Sequence, residues 1–284
     1  MKTSRREMPR GYWTCNLTED KMKIFIMTDL EGVAGVVDFE TQSYGMGKYY
    51  EEAKELLTEE VNASAAGAME AGAKEILVVD GHGDGGIVFR NLHPEISLLH
   101  GRPVPQLWGL DMKKWDAMFL LAHHAMNGTY DGNLNHTYSS KTVVNMFLNG
   151  RPIGEIGMNI YLAGWHNIPC VLVTGDEAAC REAKTYVPMI EKAAVKRGIN
   201  RTCAISISPS RAREIIRKSS CNAVKKIGEI PPVKVKGPCE LVIEFLSSAN
   251  SFSYAQRPHI ELLDGRKVRI RGRNFMDMWE KWHF

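Results

Sequence analysis

The sequence contains no Cys-x-x-Cys pair; its six cysteines stand singly at 15, 170, 180, 203, 221 and 239. That scatter excludes a zinc ribbon or disulfide scaffold and points to buried thiols in a reducing compartment. Long apolar runs are also missing. The longest clean stretches, such as 117–122, fall far below the ~20 residues that a bilayer span needs. The first 20 residues are charged and broken by Pro9 and Gly11, so they lack the apolar core of a signal peptide. Neither sign of charge dominates: 36 Lys and Arg against 33 Asp and Glu leave +3, which gives no polyanion-binding signature. No internal repeat or low-complexity tract occurs. These absences predict a cytoplasmic protein with neither nucleic acid nor membrane as partner.

What is present is ordinary globular material, 44% hydrophobic and 24% charged over 284 residues. That length predicts one large or two modest domains with a core that needs no covalent staple. Met22, followed by Lys-Ile-Phe-Ile-Met-Thr, looks like a second start, so 1–21 are expected to form a flexible extension. From there apolar runs at 23–28, 75–79, 117–122, 170–174 and 204–207 read as strands. Residues 49–71 carry Ala53, Leu56, Leu57, Val61, Ala65 and Ala68 at helical spacing and stop at Gly72. Residues 155–165, 177–197 (interrupted near Pro188) and 209–226 read as further helices. Asn149-Gly150 sets a tight turn between strands at 143–148 and 151–153. After Ile230-Pro231-Pro232 the pattern changes to a strand at 240–246, a hairpin over 259–271 and a closing helix at 274–282. The expected fold is α/β, a mainly parallel sheet flanked by helices, with a catalytic part at 22–228 and a smaller α+β part at 229–284.

The chemistry gathers where strands end. In open α/β sheets ligands bind outside the carboxyl ends of the strands. The first strand runs into Asp29-Leu30-Glu31, whose period of two aims both carboxylates the same way. The second ends in Asp80-Gly81-His82, and the third in His123-His124, of which only one is expected to reach the same site. Glu155 opens a helix. A polar loop over 127–135, expected to be flexible, delivers His136. Each item alone has an ordinary reading, as a cap, a turn or an edge residue. Together they predict a metal site: oxygen and imidazole donors without thiolate suit Zn²⁺, Mn²⁺ or Co²⁺. Gathered carboxylates also repel one another unless cations neutralise them. A pair of metals would make water reactive for hydrolysis.

Met27–Gly32, Val78–His82, Leu120–Ala125, His136 and Asn149–Gly157, in this order, resemble the zinc-dependent D-aminopeptidase family of DppA-type metallopeptidases. The likeness runs from about Met22 to the C-terminal helix. It implies two Zn²⁺ per chain, with Asp29 bridging them and Glu31, His82, His124 and Glu155 completing the ligands. It implies His136 as the catalytic residue, nucleophile or general base. It further implies short peptides with a free N-terminal D-residue such as D-Ala as substrates, and a homodecamer of two stacked five-membered rings. The competing readings are an amidase or phosphoester hydrolase on the same site, and a non-enzymatic small-molecule binding protein.

Overall fold

The computed structural model describes residues 22–283, so the expected extension at 1–21 lies outside the described residues. A seven-stranded sheet is built from β1 (Lys23–Thr28), β2 (Glu75–Asp80), β3 (Ile96–Leu99), β4 (Ala117–His123), β7 (Cys170–Asp176), β8 (Glu191–Asn200) and β9 (Cys203–Ser206). Its order is β3-β2-β1-β4-β7-β8-β9, parallel throughout except for β9, which runs back along β8. The apolar side chains of β1, β4 and β7 are buried on consecutive positions, as a sheet covered on both faces requires. Helices α1 (Tyr50–Glu70), α2 (Glu155–Trp165), α3 (Glu177–Tyr186) and α4 (Pro209–Lys225) flank it.

A second, antiparallel sheet has the order β11-β12-β10-β5-β6. Its strands β10 (Cys239–Phe245), β11 (Ile260–Leu262) and β12 (Lys267–Gly272) come from the C-terminal part, with α5 (Ser248–Ala255) and α6 (Phe275–His283) beside them. Its other two strands, β5 (Val143–Leu148) and β6 (Arg151–Pro152), come from the middle of the chain. Their connection is the Asn149-Gly150 turn, with φ of 51° and 76°, the paired positive values that match the twist of a two-residue hairpin.

One expected helix is a strand. The pattern over 177–197 divides at Pro188: α3 ends at Tyr186, and residues 191–200 form β8 between β7 and β9. The Ala, Lys and Glu of this stretch favour a helix intrinsically, but its burial alternates. Lys192 and Ala194 are exposed while Ala193 and Val195 are buried, which is a strand's period of two. Four short elements carried no legible signal: β3, α5, a π-helical turn at Phe39–Ser43 and a 3₁₀ turn at Phe89–Asn91.

Because β2, β1 and β4 are adjacent and parallel, with Thr28 beside both Asp80 and Leu121, their carboxyl ends open on one edge. Beyond Thr28 the chain keeps hold of β4: Asp29 N donates to Leu121 O at 2.9 Å and Gly32 N to Ala122 O at 2.7 Å. Only glycine permits this approach, since a Cβ on Gly32 would lie 2.2 Å from the Ala122 carbonyl carbon.

Candidate metal centre

All six residues expected from the sequence converge on that edge. Asp29, Glu31, His82, His124 and His136 are buried and Glu155 is partly buried. The donors fall into two groups, Asp29–Glu31–His82 and His124–His136–Glu155, within each of which the ligating atoms lie within 4.8 Å of one another. Asp29 faces both. Its Oδ1 lies 3.3 Å from His82 Nδ1, and its Oδ2 lies 3.1 Å from His124 Nε2.

Each imidazole is oriented by one bond to a backbone carbonyl. His82 Nε2 donates to Ser43 O at 2.7 Å, His124 Nδ1 to Ala125 O at 2.9 Å and His136 Nδ1 to Leu134 O at 2.9 Å. A carbonyl can only accept, so the anchored nitrogen carries the proton and the other faces the carboxylates. The carboxylates are anchored likewise: Glu31 Oε1 accepts from Ser43 Oγ, and Glu155 Oε1 accepts from Tyr138 N at 2.6 Å. That leaves Glu31 Oε2 and His124 Nε2 buried with no hydrogen-bond partner. Buried polar atoms are almost always satisfied, so these orphans mark an incomplete constellation.

The spacings fit a cation. Donors sharing one tetrahedral zinc at its usual bond lengths sit about 3.3 Å apart. The separations here are 3.2 Å for His82 Nδ1 to Glu31 Oε2, and 3.1 and 3.4 Å from His124 Nε2 to Asp29 and Glu155. The electrostatics agree. Burial by itself pushes His82 down and Glu31 up, but their mutual attraction prevails, leaving His82 well above and Glu31 well below their ordinary ranges. His124 behaves the same way: burial lowers it, and Asp29 and Glu155 raise it well above the usual imidazole range. Burial raises the Glu155 carboxyl, and His124 reverses this, bringing it to about 2. Both spots attract positive charge, which a proton or a metal ion can supply.

His136 differs. Burial, and then the neighbouring His124, keep it below the ordinary imidazole range. Its ring stacks on His124 at 3.8 Å, with Phe39 edge-on at 5.4 Å. It lines the cavity of about 430 Å³ that opens over the site, as do Asp29, Glu31, His82 and Glu155.

Three features lay outside the expectations drawn from the sequence. Alternation along β4 predicted that only one of His123 and His124 would reach the site; instead, both approach Asp29 Oδ2, at 4.0 and 3.1 Å. The cause is a break in the ladder. Ala122 has φ 60°, and the pairing of β4 with β7 slips between Leu120 and His123, so the period of two fails at the strand's last residues. Asn159, one turn after Glu155 on α2, lines the cavity; its i+4 spacing from an expected ligand was the available signal. Nothing local marked Lys196. It is buried, and it donates to Glu31 O, Val36 O and Asn133 Oδ1, joining the Glu31 segment to the loop that carries His136. Asp80 and Asp84, by contrast, turn to backbone amides of Gly86 and Gly45 and join neither group of donors.

A family profile described as D-aminopeptidase matches residues 22–284. The D-aminopeptidase of Bacillus subtilis (strain 168) is 31% identical over 251 residues, which cover 87% of this chain and 88% of the relative. Among solved structures, the Zn-dependent D-aminopeptidase DppA from Bacillus subtilis, described as a self-compartmentalizing protease, matches with a TM-score of 0.85 at 27% identity. That match covers 92% of this chain and 95% of the other.

Proposed function

Since this chain belongs to the D-aminopeptidase family and is therefore a peptidase, we propose that it is a dinuclear zinc enzyme that removes the N-terminal residue from short D-amino-acid peptides. The observation that carries the metal count is the position of Asp29, with one oxygen toward each group of donors. Asp29, Glu31 and His82 would hold one zinc, and Asp29, His124 and Glu155 the other. Mn²⁺ and Co²⁺ suit the same donors, but zinc is the metal named for the relative that shares this fold. Zinc, when bound, supplies Lewis acidity that polarises a carbonyl and brings the pKa of water towards ~7.

The chain's own contribution is proton transfer and positioning. His136 is anchored through Nδ1–H to Leu134 O, held neutral, and open to the cavity through Nε2. That nitrogen is the group in this reading that takes a proton from attacking water and returns it to the leaving amine. Phe39 edge-on and the stacked His124 fix the His136 ring, and the half-buried Trp108 lines the cavity beside it, limiting where a substrate can lie. A phosphoester substrate fits less well, because the cavity's arginine, Arg102, is committed to the carbonyls of Asp80, Gly101 and His82. The self-compartmentalizing character of the relative supports assembly as a homodecamer of two stacked pentameric rings with the cavities facing an internal chamber.

The test is a panel of D- and L-aminoacyl peptides with zinc-loaded protein and the His136→Ala variant. D-Ala-D-Ala is hydrolysed by the wild type, while His136→Ala keeps its zinc and loses ~10²–10⁴-fold in rate. Wild-type protein that carries two zinc ions per chain yet cleaves no peptide of the panel overturns the reading.

A further inference from the structure

The rim of the cavity carries a cation that the proposed chemistry does not use. Lys141 lines the cavity and is exposed. Its ammonium sits 3.8 Å above the Tyr44 ring and, among the described residues, makes no ion pair. The ring beneath it is fixed: Tyr44 OH is 2.8 Å from Ser140 Oγ, and its face stacks on Phe39 at 5.8 Å. Phe39 in turn meets His136 edge-on at 5.4 Å. The ammonium is therefore held by three successive ring contacts at a set distance from the residue assigned to proton transfer.

The other charges at the rim are occupied. Arg102 is tied to carbonyl oxygens, and Asp84 Oδ2 accepts from Gly45 N at 2.8 Å. A cation that is positioned but unpaired, at the mouth of a site for peptides, matches an anion that every unblocked peptide carries. We infer that Lys141 binds the substrate's C-terminal carboxylate and so makes the enzyme selective for short peptides with a free acid terminus. The inference rests on the peptidase reading above.

The same ring contacts bound the substrate's length. Laid end to end they span at most about 15 Å, and an extended peptide covers 3.3–3.6 Å per residue. A peptide of about two to four residues can therefore place its first carbonyl beside His136 and its carboxylate on Lys141. A longer chain, or one with an amidated terminus, forgoes the contact. Because the pair forms at a solvent-facing rim, salt weakens it.

The experiment compares D-Ala-D-Ala with D-Ala-D-Ala amide on zinc-loaded wild type, Lys141→Met, Lys141→Arg and the control Lys48→Met, whose lysine lies over Tyr49 and outside the cavity. The wild type should favour the free acid at least tenfold in kcat/KM, mainly through KM, and the ratio should shrink in 0.5 M salt. Lys141→Met should bring the ratio to about one, Lys141→Arg should restore most of it, and Lys48→Met should leave it as in the wild type. A wild-type ratio near one, or a Lys141→Met variant that keeps the preference, overturns the inference while the peptidase reading stands. Failure of the wild type on acid, amide and every other peptide of the panel overturns that reading, and the inference with it.

Discussion

Loading zinc into chelator-stripped protein should expel about two protons per chain near neutral pH. His82 and His124 both have pKa values well above the ordinary imidazole value of 6.5, because the carboxylates facing them outweigh burial. Without metal each therefore carries a proton at neutrality, on the nitrogen that faces the donors. His136 is depressed and contributes none. One proton is then displaced from each group of donors. Each released proton makes affinity rise about tenfold per pH unit, about 1.4 kcal/mol, so joint binding of the two ions should climb about two decades per unit below the raised values. Stability of the stripped protein should run the opposite way. The raised imidazoles contribute stability that is complete below pH 6.5 and is lost as pH rises through their folded values. The lowered Glu31 and Glu155 contribute above pH 4.5 and lose it as pH falls. The stripped protein should thus be most stable between these limits, and zinc should stabilise it most on the alkaline side. Isothermal titration in two buffers of different protonation enthalpy counts the protons, and melting curves across pH give the slopes. Two ions bound with no protons released would refute the reasoning.

Two further outcomes test the scaffold. Burial raises the Glu60 carboxyl from 4.5 to about 8, so between those values the unfolded chain ionises while the fold retains the proton, and stability falls as pH rises. Glu60→Gln keeps an acceptor for Ala34 N and should stabilise by on the order of 2 kcal/mol at pH 7.5 but by almost nothing at pH 4.5. Denaturant melts at both pH values measure this, and an unchanging gap would contradict it. Gly164 lies in α2 where a Cβ would fall 1.8 Å from Val233 O. Gly164→Ala should cost about 3 kcal/mol through forced displacement of backbone, despite alanine's better helix propensity; a neutral or stabilising effect would refute the close packing.

The parallel sheet was legible because its core strands are apolar on consecutive positions and end in Asp, Glu or His. The ends of β1, β2 and β4, the turn at Asn149-Gly150 and the helix opened by Glu155 all stand where the sequence places them. What escaped depended on long-range partners. The stretch that became β8 has helical composition, and only pairing with β7 and β9 reveals its alternation. The joint approach of His123 and His124 to Asp29 depends on a ladder slip caused by the fit of β4 to β7. The loop over 127–135 was expected to be flexible because it is polar. Asn133, Leu134 and Asn135 are instead buried, with Asn135 Nδ2 donating to Thr129 O and Gly132 O, and Leu134 N to Arg201 O.

That loop shows how the site keeps its shape. Polar residues can be buried when every group finds a partner, and here Asn135 finds its partners within the loop while Asn133 finds them on distant strands. Lys196, from β8, offers three ammonium protons to three acceptors: Glu31 O, Val36 O and Asn133 Oδ1. Burial lowers its pKa to about 8, so it remains charged at neutral pH. Asn133 N is held in turn by Asp176 at the end of β7. One buried cation thus joins the segment that presents Asp29 and Glu31 to the loop that presents His136. The sheet, through β7 and β8, therefore helps set the distance between the donors and the proton-transfer residue, together with the loop's own hydrogen bonds. A polar sequence can serve here because its own turns are braced by strands more than 40 residues away.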